Sequence, residues 1–270
     1  MTSNRIHFLS GLPRTGSTLL GSLLNQNPSI YVSPTSPLYS LLVNANEHLN
    51  LLGLQYTFDQ KGIGDKLYRA TVDAFYPPER EFPIVFDKHR GWPKHVDAIR
   101  DYVDPQPRIV CTVRPIAEIL TSYITLADRD QENFIDAHLK RDGQAVTNEA
   151  RAYLLWTQYL KVPYECMTIG LKMHAEVLLL VEYDDLVFSP AETMRRVYEF
   201  CGMEPFDHDF DDIENTCEEA KDDAWGLKNL HKIRATISKQ SVDPLCHLPQ
   251  VAIDYFSQFD LRKESSCQAI

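Results

Sequence analysis

A glycine-containing loop near the N-terminus has the composition and spacing of an anion-binding site. It reads Gly11-Leu-Pro-Arg-Thr-Gly16-Ser-Thr18 and lies between a short apolar run and an amphipathic stretch. The backbone N–H groups of such a loop, and the N-terminus of the helix that follows, point toward a phosphate-like anion. Loops that hold nucleoside triphosphates have a lysine where this chain has Ser17, and the positive charge here is Arg14. The first 46 residues contain Arg5 and Arg14 and no acidic residue, which favours an anionic ligand.

A second pair of candidate anion ligands follows a later apolar run. The run Arg108–Val113 ends in Arg114-Pro115, and Ser122 comes eight residues after Arg114. At about 100° per residue, eight helical residues return close to the same face, so Arg114 and Ser122 can reach one ligand. A planar guanidinium and a hydroxyl together suit a phosphate group.

Together the two motifs resemble sulfotransferases that use 3′-phosphoadenosine 5′-phosphosulfate (PAPS), of the bacterial and tyrosylprotein-sulfating types. In that family the loop, here Leu12–Leu19, wraps the 5′-phosphosulfate, and an arginine and a serine at this spacing hold the 3′-phosphate. The resemblance implies that the following residues bind PAPS: Arg14, Thr15, Gly16, Ser17, Thr18, Arg114 and Ser122.

Two further stretches resemble the family less specifically. Tyr183, in Val181-Glu-Tyr-Asp-Asp-Leu186, matches a tyrosine near the nucleotide, although an exposed turn tyrosine is the alternative. The segment 224–234 is similar to the late loop that closes over the adenosine, and a solvated basic loop is the alternative there. The resemblance implies nucleotide-binding roles in this segment for Trp225, whose ring could stack on a purine, and for Lys228, His231 and Lys232.

The resemblance implies transfer of a sulfuryl group from PAPS to a hydroxyl or amine of a small-molecule or peptide acceptor, leaving adenosine 3′,5′-bisphosphate and requiring no metal. Lys88, after the apolar run Pro83–Asp87, is the candidate cation for the bridging oxygen, and His89 is the candidate base. The small-molecule branch of the family has a lysine and a histidine two residues apart here, whereas these two are adjacent. Adjacent strand residues point to opposite faces, so the pair can share a site only where the strand has ended. Glu47 and His48 are the alternative bases.

Two other functions are compatible with the motifs. A P-loop kinase of a small molecule would need a loop lysine and a magnesium site, and Ser17 stands against it. A non-catalytic nucleotide-binding module would retain the fold without turnover, and the adjacency of Lys88 and His89 leaves this alternative open.

The motifs are placed by alternating strands and helices. Four apolar runs are predicted as strands, over Arg5–Ser10, Pro83–Asp87, Arg108–Val113 and Glu176–Glu182. The clearest predicted helices cover Thr147–Met173 and Pro190–Cys201, with Ser189 as the N-cap of the second and Gly202 as its stop. This alternation predicts an α/β fold: a P-loop-containing parallel sheet flanked by helices, with helical cap segments.

Composition narrows the class of protein. The net charge of −11 argues against a nucleic-acid partner, and the longest aliphatic stretch, Val177–Val181, is far shorter than the roughly 20 residues of a membrane-spanning helix. The six cysteines form no Cys-x-x-Cys pair, so we expect reduced thiols in a cytoplasmic protein. One domain over residues 1–260 and a polar tail over 261–270 are expected, with an acidic segment at 204–223 whose role, like the oligomeric state, is left open.

Overall fold

A parallel sheet organises the chain in the computed structural model, which describes residues 5–49, 60–130, 132–216, 226–237 and 243–262. Within these ranges the sheet has five strands: β1 (Arg5–Gly11), β2 (Ile30–Thr35), β3 (Ile84–Lys88), β4 (Ile109–Val113) and β5 (Leu178–Glu182). Their order is β2-β3-β1-β4-β5, which places β1 at the centre. The α/β prediction with a parallel sheet is therefore confirmed.

Helices cover both faces of the sheet. One face packs against α1 (Ser17–Leu24), α9 (Tyr183–Phe188) and α10 (Pro190–Cys201). The other packs against α2 (Leu38–Leu49), α3 (Gln60–Phe75), α4 (Val96–Tyr102), α5 (Ile116–Arg129), α6 (Phe134–Arg141), α7 (Asn148–Leu155), α8 (Lys161–His174) and α11 (Gln250–Phe256). In the part of the chain that the structure describes, no helix has the length and apolar character needed to span a bilayer.

Successive strand residues supply the two cores. Phe8, Val85, Ile109 and Cys111 pack on the α5 side, whereas Leu9, Phe86, Val110 and Val181 pack on the α1 side. This alternation follows from the two-residue period of a strand. Full burial of each large apolar side chain contributes about 1.5–3 kcal/mol, so the sheet that carries the site is held rigidly from both faces.

Four of the observed strands lie within two residues of the sequence predictions, and β2 is an addition to them. Pro34 lies inside β2 and weakens its strand signal, because proline has no N–H to donate. The residue is tolerated since β2 is an edge strand, and its pairing with β3 shifts register between Val32 and Thr35.

The predicted helix Thr147–Met173 is observed as α7 and α8 joined by a π-helical turn over Trp156–Leu160. Pro163 lies in the first turn of α8, where its missing N–H interrupts regular helical bonding. Thr147 caps α7 by accepting a hydrogen bond of 3.2 Å from the Ala150 N–H. A Cβ at Gly170 would lie 2.6 Å from the Pro93 carbonyl oxygen, so this glycine lets α8 approach the turn after β3 closely.

The predicted helix over Pro190–Cys201 is confirmed at both ends. Gly202 follows it with a φ of 62°, a left-handed conformation that glycine adopts without strain. Ser189 occupies the N-cap position, but its side chain makes no capping hydrogen bond.

Candidate active site

The crevice at the carboxyl ends of β1 and β4 is a topological switch point. From β1 the chain proceeds toward β2 at one edge of the sheet, and from β4 it proceeds to β5 at the other edge. Parallel sheets bind ligands where neighbouring connections diverge in this way. The loop after β1 and Arg114 after β4 lie on the two sides of this crevice.

The loop between β1 and α1 has an unusual backbone. Gly11, Arg14 and Gly16 have φ values of 140°, 64° and 90°. A Cβ at Gly11 would lie 2.5 Å from the carbonyl oxygen of Thr112, and one at Gly16 would lie 3.0 Å from the ring of Tyr183. Only glycine fits these two positions. A left-handed arginine costs on the order of 1–2 kcal/mol, so the fold must hold Arg14 in place through other contacts.

The side chain of Arg14 supplies such contacts. Its Nε donates a hydrogen bond of 3.2 Å to Ser122 Oγ, across 108 residues of sequence. Its Nη1 donates to the carbonyl oxygen of Leu230. Arg14 therefore joins the loop to α5 and to the segment 226–237, which brings the two predicted phosphate motifs together.

Thr15 is turned into the protein. Its side chain is 0% exposed, and its hydroxyl donates a hydrogen bond of 2.6 Å to the Leu12 carbonyl oxygen. The Thr15 and Thr112 hydroxyl oxygens are also 2.6 Å apart, so Thr15 ties the loop to β4. Any contribution of Thr15 to ligand binding must therefore come from its backbone N–H.

Helix α1 begins at the end of the loop. Gly16 occupies its N-cap position and has no side chain to accept hydrogen bonds from the first-turn N–H groups. Ser17 and Thr18 form the first turn, their side chains are half-buried, and the turn contains no acidic residue. Such a helix start is electrostatically favourable for an anion.

Arg114 is held in place at the other side of the crevice. It is 6% exposed, and its Nε donates a hydrogen bond of 3.0 Å to Glu118 in the first turn of α5. Its guanidinium lies 4.3 Å from the centre of the Tyr183 ring, and its Nη1 donates to the Arg14 carbonyl oxygen at 3.5 Å. These contacts place Tyr183 at the same crevice as the loop.

The segment 226–237 lies against the loop through the Leu230 carbonyl. Leu227 and Leu230 are buried in the core on the α5 side, whereas Lys228 and Lys232 are exposed and His231 is half-buried. The His231 carbonyl oxygen accepts a hydrogen bond of 3.2 Å from Asn215. Trp225 lies outside the described residues.

Lys88 ends β3 next to the phosphate loop. It pairs in register with Leu9 of β1, two residues before the loop begins, and it lies two residues beyond Phe86. Lys88 therefore belongs to the α1 face of the sheet. It is 6% exposed, and its backbone N–H donates a hydrogen bond of 2.9 Å to Ser33 Oγ.

His89 is packed beside Lys88. Its ring stacks on Tyr39 with centroids 4.0 Å apart, and its Nδ1 accepts a hydrogen bond of 3.1 Å from the Gly91 N–H. Burial, and secondarily Arg90 and His95, lower the pKa of His89 to about 4. At neutral pH the ring is uncharged, and because Nδ1 is the acceptor, Nε2 carries the hydrogen. This arrangement favours a packing role, and the assignment of His89 as the base stays a prediction.

Glu47 and His48, the alternative bases, are exposed on α2. Burial raises the pKa of Tyr39 to about 12, with Cys166 and Glu47 adding to the rise. Burial and Lys94 lower the pKa of His95, and Glu47 opposes that shift. Glu47 is therefore electrostatically close to the two residues that pack around His89, since His95 also contacts the Tyr39 ring.

A buried carboxylate holds the end of β3. Asp87 is 0% exposed and accepts hydrogen bonds of 2.5 Å from Tyr76 Oη and 2.8 Å from Trp92 Nε1. Burial raises the pKa of Asp87 and also that of Tyr76. This network links α3, β3 and the turn after it, and thereby positions Lys88 and His89.

One protein family matches most of the chain. A model of the sulfotransferase family matches residues 7–208, which include most of β1, the loop, β4 and α10. The chain belongs to the sulfotransferase family.

Solved sulfotransferase structures are similar at low identity. The sulfotransferase domain of the Synechococcus PCC 7002 olefin synthase is 17% identical, with 95% of this chain and 94% of that chain covered and a TM-score of 0.49. The sulfotransferase of Alicyclobacillus acidocaldarius is 17% identical, with 81% and 87% covered and a TM-score of 0.45. The sulfotransferase domain from the curacin biosynthetic pathway is 19% identical, with 76% and 75% covered and a TM-score of 0.46.

Several contacts at this candidate site lie outside the sequence predictions. The ion pair of Glu118 with Arg114 could have been predicted from the sequence, because side chains four residues apart at a helix start can contact each other. No local sequence signal pointed to Thr112 or to the Leu230 carbonyl, because their partners Thr15 and Arg14 are far away in the sequence. None pointed to Asp87 either, because its hydrogen bonds form inside the protein. Over the described ranges, no cluster of three or more histidine, cysteine, aspartate or glutamate residues has a metal-binding arrangement.

Proposed function

We propose that the protein transfers a sulfuryl group from PAPS to a hydroxyl or amine of a small-molecule or peptide acceptor. The observation that carries this proposal is the hydrogen bond between Arg14 and Ser122. It joins the loop expected to hold a 5′-phosphosulfate to the helix expected to hold a 3′-phosphate. A ligand with two anionic groups on one nucleoside needs two such binding regions at one crevice.

The groups at the crevice fit sulfate and phosphate oxygens. They comprise backbone N–H groups, the N-terminus of α1, hydroxyls and guanidinium groups, all of which donate hydrogen bonds to anions. In this proposal the loop with Ser17 and Thr18 holds the phosphosulfate, and Arg114 with Ser122 holds the 3′-phosphate. Tyr183 and the segment 226–237, with Lys228, His231 and Lys232, border the nucleoside.

Lys88 is the proposed catalytic cation. In the reaction the acceptor atom bonds to sulfur while the bond from sulfur to the bridging oxygen breaks, and the electron pair of that bond stays on the phosphate. The ammonium of Lys88, at the strand end beside Leu9, stabilises this growing negative charge. The leaving group is adenosine 3′,5′-bisphosphate.

The acceptor must also lose a proton, and three residues are candidates to receive it. His89 has its Nδ1 lone pair occupied by the Gly91 N–H, so it could accept a proton only after that hydrogen bond breaks. Glu47 and His48 are exposed on the helix that carries Tyr39. We therefore infer that His89 stabilises the acceptor side of the site by stacking on Tyr39. Glu47 is then the first candidate for the base, and His48 is the second.

Calorimetric titration without metal tests the donor. We expect adenosine 3′,5′-bisphosphate to bind in the presence of EDTA and to bind more tightly than adenosine 5′-phosphate, which lacks the 3′-phosphate. Tighter binding of ATP–Mg²⁺ would instead support a P-loop kinase. Ser17→Lys provides a second check, because it restores the kinase-like residue and should produce no ATP hydrolysis.

A turnover assay with labelled PAPS and a panel of phenols, alcohols, amines and tyrosine peptides tests the enzyme. Transfer of label to any acceptor supports the proposal. Binding of bisphosphate with no transfer to any member, and no hydrolysis of PAPS, would support a non-catalytic nucleotide-binding module.

A further inference from the structure

A cavity lies at the end of the strands opposite to the phosphate loop. It has a volume of about 570 Å³ and opens at the amino ends of β1 and β4, next to the end of α10. This volume is within the range of about 300–1,000 Å³ that is common for small-molecule sites. Its charged and hydrogen-bonding wall residues are Arg5, His7, Asp104, Gln106, Arg108 and Glu199.

His7 is a buried residue of the cavity wall whose ring nitrogens have no hydrogen-bond partner among the described residues. It is 2% exposed, and neither Nδ1 nor Nε2 makes a hydrogen bond within the described part of the chain. Burial, together with Arg5 and Arg108 and against the effect of Asp104, lowers the pKa of His7 to about 4. At neutral pH the ring therefore presents one donor and one acceptor, both unsatisfied, and such groups are rare in folded proteins.

Two arginines border His7 with hydrogen-bonding capacity to spare. Arg5 Nη1 donates to the Gly202 carbonyl oxygen at 3.0 Å, and Arg108 Nε donates to the Phe200 carbonyl oxygen at 2.9 Å. These bonds fix both guanidinium groups at the end of α10. Among the described residues, the contacts of both guanidinium groups are with these backbone carbonyl oxygens, and neither group lies within ion-pair distance of a carboxylate.

The two acidic residues of the wall make local contacts, and the charge of Asp104 also acts on His7, whose pKa it raises against the larger effect of burial. The Asp104 carboxylate accepts a hydrogen bond of 2.8 Å from the Gln106 backbone N–H. Glu199 forms an ion pair with Arg195 on the exposed side of α10. Beside Asp104 and Glu199, the cavity wall holds two prepositioned guanidinium groups and an unsatisfied imidazole, and these three groups can bind an oxyanion.

We propose that this cavity is a second ligand site, which binds a small molecule through a carboxylate or phosphate group. The oxyanion contacts the guanidinium groups of Arg5 and Arg108, and His7 forms a hydrogen bond with the same ligand. The site is separate from the crevice at the carboxyl ends of the strands, and its occupancy does not depend on whether PAPS is the donor.

Nitrogen NMR of the full-length protein with labelled histidine tests the site directly. The His7 signals are identified by their absence from a spectrum of His7→Phe. Inorganic phosphate and succinate serve as the two probes, one for each kind of oxyanion. We expect one of them to shift the His7 nitrogens saturably, and the effective probe identifies the group that the site prefers. The residue-specific signal separates this cavity from the phosphate loop, which also attracts anions.

Substitutions of the arginines provide the control. Arg5→Gln and Arg108→Gln should each weaken binding of the effective probe by about tenfold or more, because each removes a charge-assisted contact. Arg69→Gln changes an exposed arginine of α3 outside the cavity and should leave binding unchanged. If His7→Phe does not fold, the His7 signals are assigned instead from their shift in Arg5→Gln. Unshifted His7 signals at tens of millimolar of both probes, or shifts that survive both arginine substitutions, would overturn the proposal.

Discussion

The crevice between β1 and β4 and the end of β3 are neighbours built in different ways. At the crevice, hydrogen bonds of Arg14 and Arg114 connect the loop, α5 and the segment 226–237. At the end of β3, His89 is held by a stacked tyrosine and Asp87 by two buried donors. The first region is organised by directional polar contacts that an anion can share. The second is organised by ring stacking and by buried hydrogen bonds that are already satisfied within the protein, and these contacts fix position and exclude water. Ligand affinity and turnover should therefore respond to different substitutions.

The largest expected effect is on turnover at the end of β3. Lys88→Ala should lower kcat by on the order of 10²-fold, because it removes a preorganised cation from the developing charge on the leaving phosphate. The affinity for adenosine 3′,5′-bisphosphate should fall much less. Steady-state kinetics and calorimetry measure the two quantities separately.

Lys88→Arg is the matched control, since it retains the charge and should recover part of the activity. Equal losses of kcat and of bisphosphate affinity in Lys88→Ala would show that Lys88 binds the nucleotide in the ground state, and the contrast between the two regions would disappear.

The next effect is on affinity at the crevice. Arg114→Gln should weaken adenosine 3′,5′-bisphosphate by about 10- to 100-fold, because it removes a charged hydrogen-bond donor. Binding of adenosine 5′-phosphate, which has no 3′-phosphate, should change little. Glu118→Gln tests the ion pair and should leave the discrimination between these two nucleotides in place. If Arg114→Gln weakens both nucleotides equally, Arg114 does not recognise the 3′-phosphate.

Thr15 tests whether the loop depends on its link to β4. Thr15→Val removes a buried hydroxyl that bonds to Leu12 and Thr112, and should reduce the free energy of unfolding by about 1–3 kcal/mol. Thr15→Ser retains the hydroxyl and should be closer to the wild type. Denaturant unfolding measures both variants. An unchanged stability of Thr15→Val with a large loss of nucleotide affinity would show that the hydroxyl contacts the ligand.

The smallest expected effect on turnover is at His89. His89→Phe preserves the stacking on Tyr39 and should lower kcat by less than about tenfold, because a nitrogen that accepts from Gly91 is a poor general base. His89→Ala should instead lower the melting temperature, since it removes the stacked ring. A loss of kcat of about 10²–10⁴-fold in His89→Phe at normal stability would identify His89 as the base after all.

Acidification gives a second readout of the same histidine. The pKa of His89 is near 4 in the folded protein and near its ordinary value of 6.5 in the unfolded chain. Between these values the unfolded chain binds more protons, so stability falls as the pH decreases from about 6.5 to 4. His89→Phe should reduce this loss, and His7→Phe should reduce it further, because the pKa of His7 is lowered in the same way. Unfolding curves at several pH values measure the effect.

The sequence was sufficient for most of the fold because its signals are local. A strand's apolar run, the glycines of the loop and the stop at Gly202 depend on residues within a few positions of one another. The strand with Pro34 was one exception, because its proline is tolerated only at an edge position, which the sheet order alone reveals.

The candidate site was predictable to a smaller extent. The spacing of Arg114 and Ser122 predicted a shared helix face, but α5 begins only at Ile116, so Arg114 reaches the crevice from the end of β4 and not from the helix. Ser122 does lie on α5, where it accepts a hydrogen bond from Arg14. The inward turn of Thr15 was not readable from the loop motif, because its partner Thr112 lies 97 residues away. The packing of His89 on Tyr39 likewise depends on α2 reaching the end of β3.

The sequence by itself determined the α/β alternation, the phosphate loop and the residue types available to bind an anion, since each follows from local spacing and backbone preference. The tertiary structure alone decided which of these groups meet. The contact of Arg14 with Ser122 and Leu230, and the meeting of His7 and Arg108 at one cavity, arise from strand order and helix packing. The physical reason is that contacts between residues far apart in sequence form only when the whole chain has closed around its core, so no local pattern encodes them.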